Sequence, residues 1–145
     1  MQQILIAKLH EYITQNNLDL LIALQQESRV SSYLKDKVDA ASPLVDELLA
    51  ENTPAYIIEE RCMDYLTKDL RPSKFNYLLT ILDDEFETDY RRLEQTGLIT
   101  YEVVNLIEVC KPVFESLGFT EENEDNQELR NAIIGAVKEY FETKA

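Results

Sequence analysis

The side chains of this chain that could do metal or acid–base chemistry are mostly carboxylates. Asp83, Asp84, Glu87 and Asp89 fall within two helical turns, with Glu85 among them. Such clusters bind hard cations through oxygen, or act as acid and base when their surroundings drive their pKa values apart. The spacing points elsewhere. Asp83 and Glu87 are i,i+4 neighbours on the wet face of a helix, and no loop has the calcium-binding ligand pattern with its glycine. His10 is the sole histidine, so several imidazoles cannot meet within one subunit. The Glu-x-x-His spacing of di-iron bundles does not occur. Glu85 is the carboxylate to examine, because it borders the apolar stripe between Leu82 and Phe86. Glycine-rich phosphate loops, G-x-S-x-G elbows and C-x-x-C pairs are absent from the sequence. A Cys–His pair would need His10 beside Cys62 or Cys110, which spacing neither supports nor forbids. No catalytic, cofactor-binding or metal-ligating residue is assigned, and no cofactor is expected.

The elements that would hold these groups are amphipathic helices. From Ser73 to Leu93, residues Phe75, Leu78, Leu79, Leu82, Phe86, Tyr90 and Leu93 recur at spacings of three and four, one stripe of a helical wheel. Asp83, Asp84, Glu87, Arg91 and Glu94 take the other face. Ser73 is the expected N-cap and Gly97 the left-handed terminator. Leu5, Leu9, Tyr12 and Ile13 form an earlier stripe, followed by a short, nearly all-apolar segment from Leu18 with Asn17 as its cap. Leu34, Val38, Ala41, Val45 and Leu48 continue in phase through Pro43. The reading favours one kinked helix there over a new helix capped by Ser42 with Pro43 at its first position.

Thr53-Pro54 opens a further helix carrying Ile58, Cys62, Tyr65 and Leu66, which Arg71-Pro72 ends. Thr100 opens another, with Val103, Leu106, Ile107, Cys110, Phe114 and Leu117, where Pro112 suggests a bend near Glu108. The stretch from Thr120 to Asn126 reads as a solvated connection. A last helix carries Leu129, Ala132, Ile133, Ala136, Val137 and Tyr140. The expected fold is all-α, a compact bundle of six or seven helices, some bent at proline, in a single domain spanning residues 1–145. No repeat with a period of 20–50 residues is visible.

Composition narrows the function classes. The chain has 145 residues, 45% hydrophobic and 29% charged, with three glycines and four prolines. That is globular rather than disordered, and poor in the turn signals of an all-β fold. Asp and Glu number 28 against 14 Lys and Arg, a net charge of −14 spread along the chain. No region is basic, so direct nucleic-acid binding is not expected. Two cysteines on apolar stripes suit core thiols in a reducing compartment. The N-terminal residues lack a signal-peptide pattern, and no run approaches a membrane span. The expectation is a cytoplasmic protein with no membrane contact. Eight tyrosines and no tryptophan stand out. Tyr65 and Tyr90 fall on core stripes, whereas Tyr56 and Tyr77 lie towards the edges, where half-exposed phenols mark contact surfaces.

The pattern Ser73-Lys74-Phe75, Leu78-Leu79, Ile81-Leu82 and Glu85-Phe86, with the size and helical layout of the whole chain, resembles domain-of-unknown-function family 1896. That family comprises short acidic helical bacterial proteins of Bacteroidetes. The resemblance implies the helical fold over nearly the full chain, brings no catalytic or binding residues, and implies a regulatory or counter-defence setting. The leading functional expectation is a non-enzymatic protein–protein interaction or regulatory module with an acidic surface. Its partner would be a neutral or basic protein, and a homodimer is compatible with the same reading. One alternative is an acidic nucleic-acid mimic that captures a DNA-binding protein, since i,i+4 carboxylates stand about 6 Å apart. The other is an enzyme or metal protein whose site has no familiar motif.

Overall fold

The computed structural model describes residues 1–144. Every regular element among them is helical, and none of these helices is long and apolar enough to cross a membrane. The chain divides into two compact units, Met1–Arg71 and the part from Pro72 onward, where length alone had suggested one domain. The first unit holds α1 (Gln2–Asn16), α2 (Leu18–Gln26), α3 (Val30–Ala40), α4 (Ser42–Ala50), α5 (Ala55–Thr67) and a 3₁₀ turn, Lys68–Leu70. The second holds α6 (Lys74–Glu85), α7 (Glu87–Gln95), α8 (Ile99–Val109), α9 (Lys111–Leu117) and α10 (Gln127–Lys144).

Among the described residues ten α-helices replace the six or seven expected, because three expected helices are each broken once. Pro43 and Pro112 have no N–H to bond the carbonyls of Asp39 and Glu108. Ala41 and Cys110 stay right-handed, at φ −87°, and a new helix starts at once with proline in its first turn. The favoured kink at Pro43 is therefore corrected to a helix boundary, and Ser42 makes no capping bond there. The third break, at Phe86, has no proline or glycine to announce it. Phe86 takes φ −133°, ψ 49°, yet its N–H still donates to Leu82 O at 2.9 Å and its carbonyl accepts from Tyr90 N at 2.8 Å. One residue turns the chain while both helices keep their hydrogen bonds.

Caps explain the other boundaries. Ser73 Oγ accepts from Asn76 N at 3.0 Å, as expected. Thr53 and Asn17 do not cap through their side chains; Asn17 instead donates Nδ2–H to Leu70 O at 3.2 Å, tying α1 to the end of its unit. Helices α2, α4 and α7 each end on a left-handed residue: Ser28, Asn52 and Gly97. In each case the next amide reaches back to the carbonyl five residues earlier, as with Leu98 N to Leu93 O at 2.9 Å. Paired bonds of this kind satisfy carbonyls that the helix leaves open.

The two units repeat one backbone pattern, 69 residues apart. Asn17 (φ −130°, ψ 54°) matches Phe86 (φ −133°, ψ 49°), left-handed Ser28 matches Gly97, Ala41 matches Cys110, and Pro43 matches Pro112. In the first unit α1 packs on α2 and α3, α2 on α3, and α3 on α4; α6 to α9 pack in the same order. Buried positions follow: Leu9 with Leu78, Ile13 with Leu82, Leu24 with Leu93, Leu34 with Val103. The repeat is longer than the periods that define solenoids, and few letters persist between the copies. The last helices differ. Helix α5 lies on α1 and α4, whereas α10 lies on α8 and α9.

Candidate interaction face and a buried carboxylate

The acidic segment that opened the chemical argument is an exposed surface tied down by arginines. Arg130 reaches Asp84 at 3.5 Å and Glu85 at 3.1 Å, Arg91 pairs with Glu87, and Arg92 pairs with Asp89 at 3.0 Å. Asp83, Asp84, Glu85 and Glu87 are all exposed. Among the described residues no three His, Cys, Asp or Glu side chains gather in a metal-binding group. His10 is exposed on α1, while Cys62 is fully buried in the same unit. Both cysteines are free thiols. Burial raises the pKa of each, Cys110 to about 11, so each stays protonated and unreactive near neutral pH.

The carboxylate removed from water is a different one. Glu102, on α8, is only 4% exposed. Its Oε2 accepts from Lys144 Nζ at 2.7 Å, while Oε1 makes no hydrogen bond of good geometry. Tyr140 leans on the same group: hydrogen bonding to Glu102, then burial, pushes the phenol's pKa up. Lys144 also lies 5.5 Å from the Tyr140 ring centroid, and its own pKa is raised, chiefly by its hydrogen bond to Glu102. Sequence reasoning placed nearly every acid on a polar face and missed this one. The signal was present, because Glu102 stands four residues before Leu106 and eight before Cys110, on the rim of the buried stripe. Its counterpart 69 residues earlier is Tyr33, whose pKa is raised by burial and then by Asp69, with Lys37 5.8 Å from its ring. Each unit thus places a phenol, a carboxylate and a lysine near one another here, with the acid on α8 in the second unit and in the 3₁₀ turn in the first. In the second unit Lys144 lines an open cleft with Asp89, Arg92 and Phe141.

Two tyrosine expectations are reversed. Tyr65 is 52% exposed rather than in the core. Tyr77, expected at an edge, sets its ring edge-on against Phe119 at 4.9 Å and buries a hydroxyl with no partner. Tyr56 is exposed as expected, and Tyr90 is half-buried.

The outer face of α8 carries the clearest departure between the units. Leu98, Tyr101, Asn105 and Val109 form one stripe at spacings of three and four, and all are exposed, Tyr101 at 70%. Their counterparts on α3 are Arg29, Ser32, Asp36 and Ala40, also all exposed. The same backbone shows these positions to solvent in both copies. One copy fills them with polar or small residues, the other with large apolar ones at all but Asn105. The chain matches no protein-family model, no curated protein and no solved structure.

Proposed function

We propose that the protein is a non-enzymatic interaction module that grips a protein partner through the outer face of α8. The observation that carries this reading is the contrast at equivalent, equally exposed positions. Leu98, Tyr101 and Val109 stand where the first unit has Arg29, Ser32 and Ala40, so the fold itself does not require apolar residues there. Exposed aromatic and aliphatic side chains in one strip gain free energy when a partner covers them. The acidic surface contributes solubility and long-range steering towards partners of opposite charge. Nucleic-acid mimicry fits less well. The acids divide between the units, 12 in the first and 16 in the second, and two, Glu87 and Asp89, are paired with arginines of their own helix.

The proposal includes a cytoplasmic setting, in keeping with two buried free thiols. It also includes kinship with domain-of-unknown-function family 1896, which rests on the Ser73–Phe86 pattern and the helical layout. Photo-crosslinking in the native cells tests the contact reading. A benzophenone side chain at Tyr101 should give a defined protein adduct, and the same group at Ser32 should not. Equal labelling at both positions, or none at either, contradicts it.

A further inference from the structure

We infer that the occupant of the α8 face is a basic amphipathic helix of a partner protein, rather than a second copy of this chain. The inference rests on the contact reading above and adds the partner's chemistry. Leu98 to Val109 is twelve residues, eleven steps that cover about 16 Å at helical rise. That length matches three turns of a partner helix with anchors at i, i+3 or i+4, and i+7. The strip itself is nearly uncharged, with Glu108 the one exposed acid of α8 beside it. The unit around it is strongly anionic, with 16 acidic against 7 basic side chains. Four of those seven cations are already held by carboxylates of the same unit: Arg91, Arg92, Arg130 and Lys144.

A second copy would bring an equal negative charge to the contact, and like charges facing across an interface oppose association. A helix with apolar anchors and flanking lysines or arginines meets both features at once. Its hydrophobic side covers Leu98, Tyr101 and Val109, and its cations face the surplus carboxylates. The first unit lacks the combination, because Arg29 and Asp36 interrupt the strip and a smaller acidic excess, 12 against 7, surrounds it.

The test uses the full chain and a fluorescein-labelled leucine–lysine peptide of about 18 residues, patterned as an amphipathic helix. Two control peptides replace every lysine by glutamate or scramble the leucines. The leucine–lysine peptide should bind, and each control should bind at least about 10-fold more weakly. The variant L98S/Y101S/V109A should weaken binding by a similar factor, and Y101S alone should give part of the loss. Circular dichroism melts identical to the parent's show that these variants are folded. Salt should weaken the interaction progressively. Preference for the glutamate peptide, or a dimer seen by sedimentation and abolished by the triple variant, overturns the basic-helix inference and leaves the contact reading standing. Peptide binding that ignores the triple variant, or no binding by any peptide, overturns the inference too. The Tyr101 and Ser32 crosslinks then decide the contact reading separately.

Discussion

Helices α3 and α8 occupy the same place in their units, yet the side that faces water is polar or small on one and largely apolar on the other. Inward, Leu34 and Val103 are both buried, as are Ala41 and Cys110 just beyond each helix. Outward, Arg29, Ser32, Asp36 and Ala40 correspond in the repeat to Leu98, Tyr101, Asn105 and Val109. The units also close differently, α5 against α1 and α4, α10 against α8 and α9. Packing constrains the buried positions because cores are dense and respond to single methylenes. Solvent-facing positions carry little of the folding free energy, so they are free to diverge and to acquire contacts.

The comparison predicts its largest effect where the copies agree. Ile13→Ala and Leu82→Ala remove matched, fully buried side chains. Each should cost about 2–5 kcal/mol in urea denaturation. A cost below about 1 kcal/mol at either site would break the equivalence of the cores.

A smaller, asymmetric effect is expected at the phenol–carboxylate–lysine groups. Lys144→Ala leaves the Glu102 carboxylate buried without its cation, at a cost of about 1–3 kcal/mol, moderated because half of Lys144 is open to water. Lys37→Ala on α3 should change stability by less than about 0.5 kcal/mol. The pH dependence has a definite sign. Folding raises the pKa of Lys144, so its contribution is complete below the unfolded value near 10.4 and disappears as pH rises through the folded value. Tyr140, also raised, resists ionisation in the same alkaline range. Alkaline melts should therefore separate parent from Lys144→Ala at pH 8 and converge once the pH has risen past the raised folded value of Lys144.

The helix ends give a finer comparison. Gly97 holds φ +74° at no cost, whereas Ser28 holds φ +55° with a side chain. Ser28→Gly should stabilise by up to about 1 kcal/mol, and Gly97→Ser should destabilise by about as much, both read from thermal melts. Smallest of all is Tyr101→Ser, expected within about 0.5 kcal/mol of the parent in stability because the ring is exposed.

Much of the fold was legible in the spacing of apolar residues. Leu5, Leu9, Ile13, Phe75, Leu78, Leu82, Leu129 and Ile133 are buried where a helical rhythm put them. The break at Phe86 was not legible, because its carbonyl and N–H keep helical partners and no proline or glycine stands nearby. The repeat was hidden for a related reason. Left-handed Ser28 and Gly97 perform one task with different letters, and cores tolerate exchanges such as Leu34 for Val103. The proposed interaction face was legible only as a surplus of tyrosines, among which the sequence gives Tyr101 no distinction. It became visible when the matched helix α3 showed what the same positions look like without it. Glu102 escaped because a carboxylate beside a buried stripe reads as a flanking group until Lys144, more than forty residues on, is seen to neutralise it.

The most direct measurement moves the α8 face onto α3. Arg29→Leu, Ser32→Tyr, Asp36→Asn and Ala40→Val give the first unit the outward residues of the second without changing net charge. Calorimetric titration with the leucine–lysine peptide should then report two binding sites per chain in place of one. A transplanted chain that melts like the parent and still binds a single peptide would contradict the account.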